Sequence, residues 1–166
     1  MYLLKIGGGK GIDLNAICED VASLIARGEK IVIVHGASAT RDELATRLGI
    51  PTKTMTSPSG VTSVYTDEAA MDVFLMAYAG LLNKKIVACL QKHGVNAVGL
   101  SGIDGRLWEA KKKEAVYAVE GEKTRLIKDN LTGKVQRVNA DLLHLLVNQG
   151  YVPVICPPAL SLEREM

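Results

Sequence analysis

Three short loops rich in glycine and other small residues are the parts of this 166-residue sequence best suited to bind a ligand. Each follows an apolar run typical of a buried strand, and they are Gly7-Gly8-Gly9, His35-Gly36-Ala37-Ser38 and Ser101-Gly102-Ile103-Asp104-Gly105. Ligands bind at the carboxyl ends of parallel strands, where loops and helix N-termini bring unpaired N–H groups together. The first loop lacks the Gly-Lys-Ser/Thr ending of a P-loop and does not fit the dinucleotide fingerprint. Its bare amides and the ammonium of Lys5 suit a phosphoryl group instead.

Lys5 is the single side chain that most strongly indicates function, because it lies inside the apolar run from Tyr2 to Ile6, which predicts a buried strand. A buried, unpaired ammonium is costly and normally has a partner or a task. The glycine turns could equally be simple tight turns, which are common after strands. His35 is expected to be a structural histidine that bonds a neighbouring loop, with catalysis as the alternative.

The elements that position these loops alternate between helices and strands. Asp13 is expected to cap a first helix, and Lys30 to Val34 is a β-branched run typical of a strand covered on both faces. Thr40 and Glu43 have capping-box spacing and predict a second helix just after the loop that ends at Ser38.

The rest of the chain continues this alternation. The patterns predict a hairpin or ordered loop over 51–65, a long helix over 66–93, a strand over 96–100, an inserted hairpin over 106–137, a helix from Asn139 to Gly150 and a strand over 151–156 before Pro157. The long helix is apolar on so wide an arc that we expect it to be buried against more than one neighbour, such as another subunit. The prediction is one α/β domain with a mainly parallel central sheet, helices on both faces and an inserted β-hairpin.

Composition excludes several classes of protein. Hydrophobic residues make up 48% and charged residues 23%, as in a packed globular protein and not a disordered one. Aromatic residues make up 4% and the net charge is +2, which argues against nucleic acid as a partner. We expect no membrane partner either, because there is no signal peptide and no apolar run near the roughly 20 residues of a membrane span. Three widely spaced cysteines, none at metal-ligand spacing, indicate a reduced, cytoplasmic chain with these thiols in its core.

Charge is concentrated in the inserted hairpin. Residues 106–137 carry nine basic and five acidic residues, which gives +4 there and −2 for the remainder of the chain. The run Lys111-Lys112-Lys113 could be a solvated face, or part of a surface that attracts an acidic partner.

Taken together, these segments resemble the amino acid kinase family, in its acetylglutamate kinase branch. They are most similar to the kinases that phosphorylate the side-chain carboxylate of an aminoadipate or glutamate carried on a small acidic carrier protein in lysine and arginine biosynthesis. The matching stretches follow the family's order: KIGGGKG at 5–11, IVHGAS at 33–38, TSPSGV at 56–61, NAVGLSGIDGRL at 96–107, TGKVQRVN at 132–139 and YVPVICPPALS at 151–161.

This resemblance implies a phosphotransferase that uses ATP with magnesium. Lys5 would be the catalytic residue that stabilises the transferring phosphoryl group, and the amides of Gly7, Gly8 and Gly9 would hold the phosphates. Such a transfer between two anions needs charge neutralisation and alignment more than a covalent nucleophile. The resemblance also implies that the basic hairpin faces the carrier protein and that the protein is a homodimer.

The acyl amino acid would be held by the amides of Gly36, Ala37 and Ser38, and two departures from the family pattern affect this site. Ala37 replaces a glycine, which would cost about 1 kcal/mol if the position needs a positive φ. Val64 stands where the family usually has an arginine that forks onto the substrate's carboxylate, and valine has no donor. Three alternatives follow: Arg41 reaches in from the neighbouring helix, the substrate differs, or activity is lost.

Family members continue beyond the PPALS stretch with a half that binds the nucleotide base. Residues 1–166 are therefore expected to be the amino-terminal, acyl-substrate domain, without the carboxy-terminal nucleotide domain and its base pocket. Two further functions remain open at this point. One is a catalytically inactive binding or regulatory domain derived from such a kinase, and the other is a split enzyme whose second half is a separate chain.

Overall fold

A computed structural model of the chain describes residues 1–120 and 123–161. The strands are β1 (Tyr2–Ile6), β2 (Ile31–His35), β3 (Thr54–Thr56), β4 (Thr62–Val64), β5 (Ala97–Gly102), β6 (Trp108–Lys112), β7 (Val116–Glu120), β8 (Lys123–Ile127), β9 (Gly133–Val138) and β10 (Val152–Ser161). The helices are α1 (Leu14–Ala26), α2 (Ser38–Leu48), α3 (Glu68–Leu75), α4 (Asn83–Lys92) and α5 (Ala140–Asn148). A π-helical segment, Met76–Leu82, joins α3 to α4.

The predicted α/β fold with a mainly parallel sheet is confirmed. β1 pairs in parallel with β2, β2 with β10, and β10 with β5. The far end of β10 also pairs in parallel with β6, which is antiparallel to β9. The ligand-binding edge expected of such a sheet is therefore present, and the β1 and β2 loops leave it side by side.

Helices cover both faces of this sheet. On one face, α1 and α4 bury residues such as Val21 and Leu90 against Ile33 and Val154 of the central strands. On the other face, α5 buries Val147 against the neighbouring strands. Because successive strand residues point to opposite faces, a run such as Ile31–His35 must be apolar almost throughout, as predicted for a strand covered on both sides.

Strand β1 corrects one prediction. It is an edge strand with a single neighbour, β2, among the described strands, and Tyr2, Leu3 and Lys5 are exposed while Ile6 is buried. The expectation of a buried strand is wrong, because an apolar run does not reveal whether a strand lies at the centre or at the edge of a sheet. The ammonium of Lys5 is therefore in solvent and needs no buried partner.

Two element boundaries also differ from the predictions. Helix α2 begins at Ser38 with Ala37 as its N-cap, which provides no side-chain hydrogen bond, so Thr40 is already inside the helix and the predicted capping box is wrong. Strand β10 does not end before Pro157 but continues to Ser161, where Leu160 and Ser161 pair with β6. This longer strand joins the parallel sheet to the inserted strands.

Other local predictions are confirmed. Asp13 caps α1 by accepting hydrogen bonds from two backbone amides, and Asn139 caps α5 through the amide of Leu142. β3 and β4 form the hairpin expected between residues 51 and 65. The insertion is a pair of nested hairpins, with β7 and β8 paired inside the β6–β9 pair.

The long helix is continuous from Glu68 to Lys92, with Asp67 as its N-cap. Its 25 residues are long and apolar enough to cross a membrane by length and composition, which the sequence analysis did not anticipate. In the fold, Val73 and Ala77 are buried at its first half, and Ile86 and Leu90 are buried in the core beneath the sheet.

Candidate phosphate and acceptor site

The first two small-residue loops touch through their backbones at Gly8. A Cβ atom built on Gly8 would lie 2.5 Å from the amide nitrogen of Ala37 and 2.6 Å from that of Ser38. The carbonyl of Gly8 accepts hydrogen bonds from the Ala39 amide at 2.8 Å and from the Ser38 hydroxyl at 2.9 Å. Gly8 is therefore needed to let the β1 loop lie against the start of α2.

Several backbone amides in the loops that follow β1 and β2 have no hydrogen-bond acceptor in the described part of the chain. The amides of Gly7, Gly8, Gly9 and Ser38 donate no hydrogen bond within residues 1–120 and 123–161. Gly7 and Gly9 are exposed, and a Cβ at Gly9 would meet nothing within 4 Å. Free N–H groups beside a helix N-terminus can bind an anion. The hydroxyl of Ser38 is not available in the same way, because it is used to hold Gly8.

Lys5 lies two residues before Gly7, in register with Val34 of β2. It is exposed, and its ammonium makes no ion pair or hydrogen bond with the described part of the chain. Its role as the phosphoryl contact stays a prediction, supported by its proximity in sequence to the glycine amides.

Ala37 has no backbone strain, since its φ is −151°. Its side chain is fully buried with Ala77, Tyr78 and Cys156. The anticipated cost of a positive φ therefore does not arise, and the methyl group packs in the core.

His35 and Asn83 form a buried pair behind the second loop. The side-chain amide of Asn83 donates to His35 Nε2 at 3.1 Å and to the Val154 carbonyl at 2.9 Å. His35 Nδ1 therefore carries the proton and donates to the Gly36 carbonyl at 3.1 Å. Burial lowers the pKa of His35, which keeps the ring neutral. His35 is thus structural, as expected, and it fixes the loop that follows it.

Sequence reasoning missed Asn83. Its signal was a single polar residue inside the apolar stripe of the long helix, at Leu82-Asn83. The side chain is fully buried, and the ammonium of its neighbour Lys84 donates to Asn83 Oδ1 at 3.1 Å and to the Gly99 carbonyl at 3.0 Å. A polar residue at such a position indicates a buried hydrogen-bonding partner.

Val64 and Arg41 line the same narrow pocket, together with Thr66 and Phe74. The guanidinium of Arg41 is mostly buried and binds one carboxylate oxygen of Asp42 through Nε and Nη2, at 3.0 and 2.8 Å. Arg41 therefore lies near Val64, and its contact with a substrate carboxylate stays a prediction. Part of its charge is already neutralised by Asp42.

The third loop does not join the first two. It follows β5, which is separated from β1 by β10 and β2. Asp104 accepts hydrogen bonds from the amide and the hydroxyl of Ser101, at 2.6 and 2.8 Å, so the loop satisfies its own polar groups. Beside it, an open and mainly apolar pocket of about 220 Å³ is lined by Leu75, Leu131 and Pro158. Of its lining residues, sequence reasoning considered Ile103 within the third loop and Lys112 within the lysine run, and it did not predict the pocket.

The nested hairpins carry the expected basic surface. Their exposed cations include Lys111, Lys113, Lys123, Lys128 and Lys134. Buried Glu109 partly balances this charge through Arg106 at 3.0 Å and Arg137 at 3.8 Å.

The three cysteines are free thiols, and Cys18 and Cys156 are buried as predicted. Burial raises the pKa of each of these two thiols to about 12. Across the described ranges, no group of three or more His, Cys, Asp or Glu side chains is arranged to hold a metal ion.

Comparison with known proteins gives a consistent result. The model of the amino acid kinase family matches residues 1–165. A LysW-aminoadipate kinase of Thermus thermophilus is 46% identical over 99% of this chain, and one of Deinococcus radiodurans is 47% identical over 98%. A LysW-aminoadipate/LysW-glutamate kinase of Saccharolobus solfataricus is 34% identical over 99%. The chain spans 61%, 56% and 61% of the lengths of these three relatives.

Solved structures agree on the fold. The protein smu.665 from Streptococcus mutans matches 97% of this chain and 60% of its own, with a TM-score of 0.70 and 19% identity. An N-acetylglutamate synthase from Neisseria gonorrhoeae matches 96% of this chain and 34% of its own, with a TM-score of 0.68 and 21% identity.

Proposed function

Because this chain belongs to the amino acid kinase family, we propose that it forms the acceptor side of a kinase that acts in the cytoplasm as a homodimer. This kinase transfers the γ-phosphate of ATP to the side-chain carboxylate of an aminoadipate or glutamate. The amino acid is presented on a small acidic carrier protein in lysine or arginine biosynthesis. Residues 1–166 are the amino-terminal domain of that enzyme, and the nucleotide base binds outside them.

The observation that carries this proposal is the backbone contact between the β1 loop and the start of α2. Gly8 lies against the amides of Ala37 and Ser38, and the amides of Gly7, Gly8, Gly9 and Ser38 donate no hydrogen bond within the described residues. A phosphate donor and a carboxylate acceptor are both anions, and they must be aligned with their charges neutralised. Amides from two adjacent loops can hold one anion each.

The residues divide the work between donor and acceptor. Gly7, Gly8 and Gly9 hold the phosphates, and the exposed ammonium of Lys5 stabilises the charge on the transferred group. The amides of Ala37 and Ser38 hold the acceptor, whereas the predicted contribution of the Gly36 amide is wrong because that amide donates to the Ile6 carbonyl at 3.0 Å. Magnesium on the nucleotide would neutralise phosphate charge.

The nested hairpins dock the carrier. Their exposed lysines attract an acidic protein and orient its approach. Tyr117 and Leu126 are paired across β7 and β8, and they are 59% and 44% exposed. An exposed aromatic and aliphatic pair within a cationic surface is typical of the centre of a protein interface.

A second function, a binding or regulatory domain without turnover, is favoured by Val64 and by the pairing of Arg41 with Asp42. Val64 has no hydrogen-bond donor, and the guanidinium of Arg41 already binds Asp42, so neither offers a free bidentate contact to a substrate carboxylate. In this case the chain would bind the carrier but would not position the acceptor.

Calorimetric titration with N-acetyl-L-glutamate and N-acetyl-L-aminoadipate tests the acceptor site. We expect binding by the wild-type chain, and we expect Val64→Arg to tighten it tenfold or more, about 1.4 kcal/mol. Unchanged affinity in Val64→Arg together with lost affinity in Arg41→Ala would show that Arg41 already binds the carboxylate. If neither the wild type nor Val64→Arg binds either probe, the acceptor assignment is wrong.

Titration with ATP and magnesium tests for turnover by this chain alone. ATP hydrolysis or acyl-phosphate formation by this chain alone would exclude the binding domain without turnover. Carrier binding should weaken steeply between low and high salt, because it rests on opposite charge. Binding that persists at high salt would contradict docking by charge.

A further inference from the structure

One buried asparagine joins the basic hairpins to the strand that carries Val64. Asn130 lies in the loop between β8 and β9 and is 2% exposed. Its side-chain oxygen accepts a hydrogen bond from the Thr66 amide at 3.1 Å, and its side-chain nitrogen donates to the sulfur of Met55 at 3.6 Å. The carboxamide therefore contacts β3 and the segment that directly follows β4.

The residues on either side of Asn130 strengthen this connection. The Leu131 amide donates to the Thr66 carbonyl at 2.7 Å, so both backbone polar groups of Thr66 bond to residues 130 and 131. The hydroxyl of Tyr65 donates to the carboxylate of Asp129. Residues 65–66 and 129–131, which we call the clamp, are thus joined at three consecutive positions.

The clamp connects two parts of the proposed function. On one side, β8 ends at Ile127, two residues before the clamp, and the exposed Lys123 and Lys128 of the docking surface lie at its two ends. On the other side, Thr66 lies two residues after Val64 and directly before Asp67, the N-cap of α3. Because few residues separate these points, a displacement of the basic hairpins moves the clamp and the strand it holds.

Resting on the proposed function, we propose that Asn130 is a positioning residue that couples an acidic partner on the basic hairpins to the acceptor segment at Val64–Thr66. An occupied docking surface fixes the hairpins, and through the clamp it fixes this segment. The protein can then distinguish an acceptor delivered on its carrier from the same acceptor free in solution. Arg41 and Thr66 line one pocket with Val64, so the effect reaches the residues around the acceptor.

Backbone amide resonances test this coupling, because a chain of 17.8 kDa suits two-dimensional nitrogen-15 spectra. The probe is a decaglutamate peptide titrated into the full chain at low salt. In the wild type we expect the resonances of β7 and β8 to shift, and those of Val64 and Thr66 to shift with the same apparent Kd. In Asn130→Ala the hairpin shifts should persist, and the shift at Thr66 should fall about fivefold, as for a lost coupling of ordinary size.

Two variants serve as controls. Asn130→Asp keeps the acceptor for the Thr66 amide and should keep the transmitted shift. Asn148→Ala removes an exposed asparagine on α5 that accepts from Lys30, and it should change nothing at Thr66. If Asn130→Ala does not fold, Tyr65→Phe removes only the contact with Asp129, and it should reduce the transmitted shift while the fold is retained.

The outcomes separate this inference from the docking proposal. If the hairpins shift but Thr66 does not, or if Thr66 shifts equally in Asn130→Ala, the coupling is refuted and docking stands. If no hairpin resonance responds to the peptide in the wild type, docking by charge is refuted and the coupling falls with it.

Discussion

Gly8→Ala is the most direct test of the contact between the two loops. The added Cβ would lie 2.5 and 2.6 Å from the amide nitrogens of Ala37 and Ser38, and 2.8 Å from the carbonyl carbon of Gly36. All three neighbours are backbone atoms, so no side chain can rotate away. The β1 loop must therefore move away from the start of α2.

The size of the effect follows from what that movement breaks. Overpacking a well-packed site costs about 1 to 3 kcal/mol. The Gly8 carbonyl also accepts two hydrogen bonds, from the Ala39 amide and the Ser38 hydroxyl, each worth about 1 kcal/mol. We expect the free energy of unfolding to fall by about 3 to 5 kcal/mol, a large part of the roughly 5 to 15 kcal/mol typical of a domain.

Urea unfolding followed by circular dichroism measures this loss. With an m-value of about 2 kcal/mol per molar urea, the midpoint should fall by about 1.5 to 2.5 M. Gly9→Ala is the matched control, because its Cβ meets nothing within 4 Å, and it should stay within about 0.5 kcal/mol of the wild type. A midpoint for Gly8→Ala within about 0.3 M of the wild type would refute the close approach of the loops.

Three further predictions concern single side chains. Because burial lowers the pKa of His35 from its usual 6.5, the unfolded chain takes up a proton below that pH that the folded chain does not. The free energy of unfolding should therefore decrease as the pH is lowered below about 6.5, by up to about 1.4 kcal/mol per pH unit. In urea melts at pH 5 to 7, His35→Gln should remove this slope and His144→Gln should not. Lys5→Ala should leave the free energy of unfolding within about 0.5 kcal/mol of the wild type and weaken pyrophosphate binding at least tenfold; a stable variant with unchanged binding would refute the phosphoryl role. Asn139→Ala removes the cap of α5 and a hydrogen bond to the Gly105 carbonyl, and should cost about 1 to 2 kcal/mol; a loss below about 0.3 kcal/mol would show that the cap is not needed.

Local signals in the sequence predicted the elements well. Asp13 and Asn139 cap their helices because a side-chain oxygen and the first turn are only two or three residues apart. The same reasoning was wrong at Thr40, because the tight contact of the preceding loop with Gly8 starts α2 at Ser38. Tertiary contacts overrode a local preference there.

The sequence could not predict features that depend on strand order or on distant partners. The exposure of Lys5 follows from the place of β1 at the sheet edge, which an apolar run does not reveal. Asn83 bonds His35, 48 positions away, and Asn130 bonds Thr66, 64 positions away, so these contacts appear only in the folded structure. The role of the first glycine loop in phosphate binding stays a prediction from its glycines, and the clamp had no sequence signal.

The π-helical segment Met76–Leu82 gives the long helix one residue that α turns alone would not hold. A π turn holds one residue more than an α turn, and each residue of an α-helix advances it by about 100°. A single-codon deletion within the π segment would let its turns become α turns and keep α4 close to its present rotation. The same deletion within α3, which has no extra residue to lose, would rotate α4 by about 100° relative to the start of the helix and carry Asn83 away from His35.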